Sequence, residues 1–480
     1  MNIQLKSERI FFLVIFLFGS LPFLNAQYYP HKNNTDYKEP YRGQYHFSPK
    51  SEWMNDINGL VYQGGKYHMI YQWGKEVRHG GYATSTDLLH WDDKGVALIP
   101  RKSFLPADAK RNVSGDQVYS GSAVVVSGLA AKKITGSEKE AIVAIYTGTA
   151  KGTCLAWSNG SGNTWHDYKA NPVANLTEGD NPRDPRVFWY KPANKWIMAI
   201  YETGTTFYSS GDLLKWEYLS NIDFGFECPD IFQLPLDGNK QNKKWILMDA
   251  NGSYLVGEFD GKTFNKDEGQ NTFVMDDGPD FYAAQTFPVG NLPNDDDRVI
   301  QIAWMDHWNG GVGEQGWERN ATFPVSLGLV SLNGQKRITR NPINEFSLLY
   351  ENTKKWKNQL IPADTNLLEG IQSKKFELSL EVDLNETTAL TFGIKVANRY
   401  IIYDVHNKKL ESHELLPDAS NHIRIKILID WGQLEIFGND GIFSYTQQFA
   451  FSPDHANMEL FSDGKVKLVS MEFHELARIW

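Results

Sequence analysis

Between residues 45 and 310 the chain repeats one pattern of apolar and polar positions. An apolar, strand-like run is followed by a turn, a second apolar run rich in aromatics, and a Ser/Gly/Asp turn that closes on an aromatic residue. The second runs are Lys66–Trp73, Ala141–Gly148, Lys195–Gly204, Lys244–Gly252 and Arg298–Trp308, which counts five units. The closing turns rhyme: Ser85-Thr86-Asp87-Leu88-Leu89-His90-Trp91, Ser158 to Trp165, and Ser210-Gly211-Asp212-Leu213-Leu214-Lys215-Trp216, with Phe264 next in line. Recurrence at about fifty residues, with about four short strands per unit, predicts a five-bladed β-propeller. A large β-sandwich would carry no such rhyme. First strands of blades line the central channel and here start near Asp56, Ser120, Asp184, Glu227 and Asp280, so these polar positions are expected to converge on one end of the axis.

After Pro342 the pattern changes. Phe346 to Trp356 suggests a short helix or linker, placed at 346–362. Then Phe376–Val382, Ile423–Ile429 and Leu434–Phe437 alternate strictly, with a hairpin signal at Asn439-Asp440-Gly441. The expected chain is therefore all-β: a propeller over 27–345, a linker, and a C-terminal β-sandwich over 363–480 whose role reads as structural support.

The N-terminus adds an address. Lys6 and Arg9 precede the apolar stretch Ile10–Leu24, and Leu24-Asn25-Ala26 follows, which predicts a signal peptide over 1–26 cut after Ala26. Gly19-Ser20 and Pro22 interrupt a run already short of the ~20 residues that span a bilayer, so no stable membrane anchor is expected. The protein is read as exported. With only Cys154 and Cys228, a disulfide framework does not hold the fold, and no His/Cys cluster suggests zinc.

Formal net charge is −10, which argues against nucleic acid as a partner. Aromatics make up 13% of residues, including 15 Trp and 22 Tyr. Ring faces suit the apolar faces of sugars, although β-rich folds favour aromatics in any case.

The chemistry concentrates in three acidic motifs at expected blade starts: Trp53-Met54-Asn55-Asp56-Ile57-Asn58-Gly59, Arg183-Asp184-Pro185 and Glu227-Cys228-Pro229-Asp230. Singly each is a common turn or dipeptide. Jointly they offer the paired carboxylates that glycoside cleavage needs, one to attack and one to exchange protons. Asp56, flanked by Asn55 and Asn58 with Gly59 allowing a close turn, is expected to be ionised and nucleophilic. Glu227, beside Phe224, Phe226, Cys228 and Pro229, is expected to be kept protonated as general acid. Asp184, with Arg183 adjacent, is expected to stay charged and to grip sugar hydroxyls.

In these motifs the chain resembles glycoside hydrolase family 32, the invertase, inulinase and levanase family of β-fructofuranosidases. The likeness runs from His46-Phe47-Ser48-Pro49 through Tyr119-Ser120-Gly121-Ser122 and Asp280-Phe281-Tyr282-Ala283-Ala284-Gln285-Thr286-Phe287 to Leu434-Glu435-Ile436-Phe437. The resemblance implies a five-bladed propeller with a C-terminal sandwich and retaining hydrolysis of fructan or sucrose without cofactor or metal. It implies Asp56 as nucleophile, Glu227 as acid/base and Asp184 as transition-state stabiliser, with Asn55, Gln72, Ser120, Arg183 and Tyr282 binding substrate. A fructosyltransferase or a fructan-binding protein without activity would share the same scaffold. Two departures stand out. Ile57 replaces a usual Pro, and Gly80-Gly81-Tyr82-Ala83 replaces a Trp-Gly-His-Ala pattern in a shortened 71–83 stretch, which removes a Trp expected to wall the pocket.

Overall fold

The computed structural model describes residues 35–100, 117–149, 152–174, 182–288, 290–306, 316–363, 365–449 and 457–480. The predicted signal peptide and Trp308 lie outside them. Five antiparallel units follow one another. Blade I is Glu52–Gln63, Lys66–Trp73, His79–Ser85 and Trp91–Leu98. Blade II is Val118–Val126, Ala141–Gly148, Gly152–Asn159 and Trp165–Asp167. Blade III is Arg183–Tyr190, Lys195–Glu202, Gly204–Ser210 and Glu217–Ile222. Blade IV is Asp230–Leu236, Asn239–Met248, Ser253–Phe259 and Phe264–Lys266. Blade V is Phe281–Thr286, Val299–Met305, Val325–Leu332 and Gln335–Pro342. The second strands of blades I and II have the bounds expected from the apolar pattern. Trp317–Glu318 adds in parallel to Glu52–Trp53, and this pairing closes the ring between blades V and I.

Two of the rhyming turns, and the matching turn of blade IV, share one physical cause. Asp87 Oδ1 accepts the N–H of Leu89 and His90, and Asp212 Oδ1 accepts the N–H of Leu214 and Lys215. In blade IV, Asp260 does the same for Lys262 and Thr263. A side chain that caps its own turn reverses the chain at low cost. Trp91, Trp165 and Phe264, which end three of the turns, are buried between blades, and Trp216 at the end of the blade III turn is half-buried.

The sandwich packs a six-stranded sheet on a five-stranded one around a separate apolar core that includes Phe376, Leu378, Ile425, Ile427, Ile436 and Phe473. The stretch 346–362 corrects the expectation of a linker. A 3-10 turn at Asn344–Leu349 leads into the strand Tyr350–Ile361, which pairs with Val466–Leu476 at the edge of the larger sheet. Most of this strand is exposed and it carries Lys354, Lys355 and Lys357. Edge strands rich in lysine resist pairing with other chains, and with both faces wet they lose the alternation that marks a strand.

Buried charges join the two domains. Asp430 accepts the N–H of Gln44, Tyr45 and His46, and His46 lies 2.9 Å from both Asp430 and Glu435. Arg340 pairs with Asp276, which also takes the hydroxyls of Ser444 and Thr446. Burial alone would lower the His46 pKa, but the bonds to Asp430 and Glu435 outweigh it and raise the value from 6.5 to about 9. Stability from this group is thus full below pH 6.5 and is lost as pH rises through about 9. His46→Leu is expected to lower the thermal midpoint strongly at pH 6, since breaking a buried pair costs about 3–5 kcal/mol, and much less at pH 10. Calorimetry of both proteins across that range reads the difference.

Candidate active site

Irregularities in the inner-strand ladders aim the expected site residues. In blade I, Met54 pairs with Trp73 and Ile57 with Tyr71, so a bulge contains Asn55 and Asp56. In blade II a bulge between Tyr119 and Gly121 contains Ser120, and in blade III the shift between Arg183 and Arg186 contains Asp184 and Pro185. Bulges turn side chains that would otherwise alternate toward one place. A Cβ on Gly121 would stand 1.9 Å from the Ile145 carbonyl, so only glycine allows the blade II bulge. Asp184 (φ 62°), Glu227 (φ 56°) and Cys228 (φ 38°) occupy the left-handed region. Backbone held in this region stores strain of order 1–3 kcal/mol per residue and clusters at functional sites.

The residues form two connected groups. Asp56 Oδ2 accepts Ser120 Oγ at 2.6 Å and Gln72 Nε2 at 2.9 Å, while Oδ1 accepts Asn55 Nδ2 at 3.0 Å. Glu227 accepts Arg183 Nε at 2.9 Å and the Tyr282 hydroxyl at 2.7 Å. Cys228 links the groups: its N–H donates to Asp184 Oδ2 at 3.2 Å and its thiol reaches Asp56 Oδ2 at 3.6 Å. All eight expected residues therefore lie at one end of the propeller. Two were missed in the sequence: Cys228, although it stands inside a motif, and Thr147, whose hydroxyl accepts the Asp184 N–H at 2.8 Å and donates to the Ser120 carbonyl. Nothing local marks Thr147, because its partners come from other strands.

The electrostatics differ from the sequence expectation in three ways. Asp56 is held by donors as expected, yet burial, helped by the Glu227 charge, pushes its carboxyl up to about 6. Burial first, then the Asp56 charge, raises Asp184 to about 7, so it is not the permanently ionised group its neighbour Arg183 suggested. The Arg183 Nε is 4.0 Å from Asp184 but 2.9 Å from Glu227. Glu227 accordingly sits among polar donors and not in an apolar setting, and the exposed Phe226 lies edge-to-face with Tyr201 and beneath the Arg183 guanidinium. Asp280, expected at the axis, and Asp230, which shares a motif with Glu227, are spent elsewhere. Asp280 accepts the Gln448 N–H of the sandwich, and Asp230 pairs with Arg186 at 2.7 Å and binds Thr286, tying blades III, IV and V.

A raised carboxylate pKa means that the ionised form costs stability. With an ordinary value of 3.8 and a folded value of about 7, Asp184 weakens the fold progressively as pH climbs between them. Asp184→Asn keeps an acceptor for the Cys228 N–H. It is expected to raise the thermal midpoint at pH 8 by roughly 2–4 °C, with no gain at pH 4, while turnover falls steeply. Differential scanning calorimetry at the two pH values checks this.

Residues 46–342 match the Glycosyl hydrolases family 32 N-terminal domain and residues 345–475 match the Glycosyl hydrolases family 32 C terminal. The chain belongs to glycosyl hydrolases family 32. The family 32 enzyme is 34% identical to a levanase of Bacillus subtilis (strain 168), over 92% of this chain and 72% of that protein. It is 30% identical to an extracellular exo-inulinase of Aspergillus niger, over 93% of this chain and 96% of the relative. The crystal structure of exo-inulinase from Aspergillus awamori superposes with a TM-score of 0.80 at 26% identity, covering 93% of this chain and 100% of the other. Propeller and sandwich are thus those of the family, and the chain is a glycosyl hydrolase.

The two departures of the family 32 enzyme have clear structural outcomes. Ile57 is buried in the apolar core with Met54 and Leu60. Tyr82 turns away from the carboxylates and is buried, its ring edge-on to Trp165 and its hydroxyl 2.5 Å from His68 Nδ1. Gly80 and Gly81 leave bare backbone beside Gln72 and Tyr71, their partners in the ladder.

Proposed function

We propose that the protein is an exported hydrolase that cleaves β-fructofuranosidic bonds with retention, in fructans such as levan or inulin, in sucrose, or in both. The observation that carries this reading is the carboxylate set Asp56, Asp184 and Glu227, contributed by different blades and each held by its own donors, in a family 32 chain. Asp56 attacks the anomeric carbon of the fructosyl unit while Glu227 gives a proton to the departing oxygen. A fructosyl ester on Asp56 results and the remaining sugar leaves. Glu227 then takes a proton from water, whose oxygen attacks the same carbon and frees Asp56. Asp184 holds fructosyl hydroxyls, with bonds that tighten as the ring flattens. Asn55, Gln72, Ser120, Arg183 and Tyr282 bind substrate around these groups. Every bond and proton in the scheme is handled by side chains.

Export is supported by the N-terminal segment and by relatives described as extracellular. Among the described residues no helix is long and apolar enough to cross a membrane. Substrate class is supported by levanase, exo-inulinase and fructan β-fructosidase relatives. The test is a time course of products from sucrose, inulin and levan, with the anomeric form of the first fructose read by NMR. Free fructose released first as the β-anomer is expected. Dominant oligosaccharide formation at high sucrose would instead identify a transferase, and fructan binding without release of sugar would identify a binding protein.

A further inference from the structure

Among the described residues, Gly80 and Gly81 leave one flank of the carboxylate cluster without a side chain, and Arg78 stands at its edge. A Cβ at Gly80 would lie 2.8 Å from Leu98 and one at Gly81 2.4 Å from the Tyr71 ring, so neither position accepts a larger residue. Gly80 is the ladder partner of Gln72, whose amide donates to Asp56. The bare backbone therefore flanks the nucleophile. Two residues before Gly80, just ahead of the strand His79–Ser85, stands Arg78. Its guanidinium lies flat on Trp53, 3.8 Å from the ring centre, and Trp53 opens the motif that carries Asp56.

Arg78 is held firmly. Its N–H donates to Gln117 Oε1, its carbonyl accepts the Val118 N–H, and Nη1 donates to the carbonyls of Gly74 and Lys75. The side chain has no carboxylate partner and no protein hydrogen bond from Nε or Nη2 among the described residues. The Asp56 charge acts on it, which places the cation within electrostatic reach of the nucleophile. The other cation on Trp53, Arg319, is already paired with Asp306. An ordered guanidinium with unspent donors beside an indole ring suits a vicinal pair of sugar hydroxyls.

We propose that Arg78, seated on Trp53, grips the sugar that leaves, through hydrogen bonds to its hydroxyls, where no side chain at 80 or 81 can wall the site. Arg78 thereby acts as a specificity residue for the leaving group and not for the fructosyl unit that Asp56 captures. This rests on the fructosidase reading above.

The test compares two substrates that share the fructosyl unit: sucrose, whose leaving group is a hexose, and methyl β-D-fructofuranoside, whose leaving group has no hydroxyl to hold. Arg78→Ala is expected to lower kcat/KM for sucrose by about 10- to 100-fold, mainly through KM, the scale of hydrogen bonds from a charged donor. For the methyl fructoside it should stay within about twofold. Arg78→Met keeps the stem on Trp53 without the donors and is expected to behave alike, which separates gripping from packing. An equal loss on both substrates in Arg78→Met, or no loss on sucrose, overturns the proposal. A parent enzyme that hydrolyses neither substrate overturns the fructosidase reading instead.

Discussion

Asp56→Ala is expected to lower turnover of sucrose or fructan by about five orders of magnitude while leaving the fold intact, because removal of a nucleophile removes the whole covalent route. The structure explains why the chain should tolerate the change. Asp56 is a buried carboxyl whose charged form is disfavoured, and its donors Asn55 and Gln72 also bond to neighbours, Gln72 to Ser120 at 2.8 Å. Loss of the charge relieves a cost and the scaffold around it remains tied. In the parent enzyme the same group sets the acid limb of activity. Only the ionised form attacks, so kcat/KM is expected to fall about tenfold per pH unit below about 6. Initial rates across pH, with circular dichroism of the variant, check both statements. Activity within tenfold of the parent would refute the assignment.

Glu227→Ala is expected to reduce turnover by about 10²- to 10⁴-fold, the usual contribution of a positioned proton donor. The loss should shrink for substrates whose leaving group departs without help. Arg183 and Tyr282, which hold both oxygens of Glu227, keep their places on opposite sides of the vacated space. A small anion such as azide can enter there and attack the fructosyl ester, forming a carbon–nitrogen bond as the ester bond to Asp56 breaks. β-Fructosyl azide among the products, identified by NMR, is the expected result. Formation of the α-azide, or no dependence on leaving group, would be incompatible with Glu227 as the acid/base of a retaining reaction.

Much of the scaffold was legible because its signals are local. The continuous apolar runs Lys66–Trp73 and Ala141–Gly148 report strands buried on both faces, alternation along Phe376–Val382 reports one wet face, and turn-capping aspartates such as Asp87 and Asp212 act on their own neighbours. The edge strand Tyr350–Ile361 was not legible, because a strand wet on both faces writes no period into its sequence. The three acidic motifs were visible as residues at blade starts, but their surroundings were not. Arg183 neighbours Asp184 in sequence, yet the left-handed backbone at Asp184 turns the two side chains apart, and the guanidinium pairs with Glu227, 44 residues further on. Asp280 and Asp230 carry the same charge as the site acids and serve as ties between domains and blades.

By itself, then, the chain of residues determined the blade repeat and the alternating sandwich and singled out three acidic motifs as candidates, since each is set by neighbours within a few positions. Only the tertiary structure decided which donors face each acid, that burial drives the Asp184 carboxyl strongly upward, and that Arg78 stands over Trp53. Proton affinity and partner choice depend on how completely water is excluded and on atoms brought from distant blades, and neither quantity is written in any local pattern.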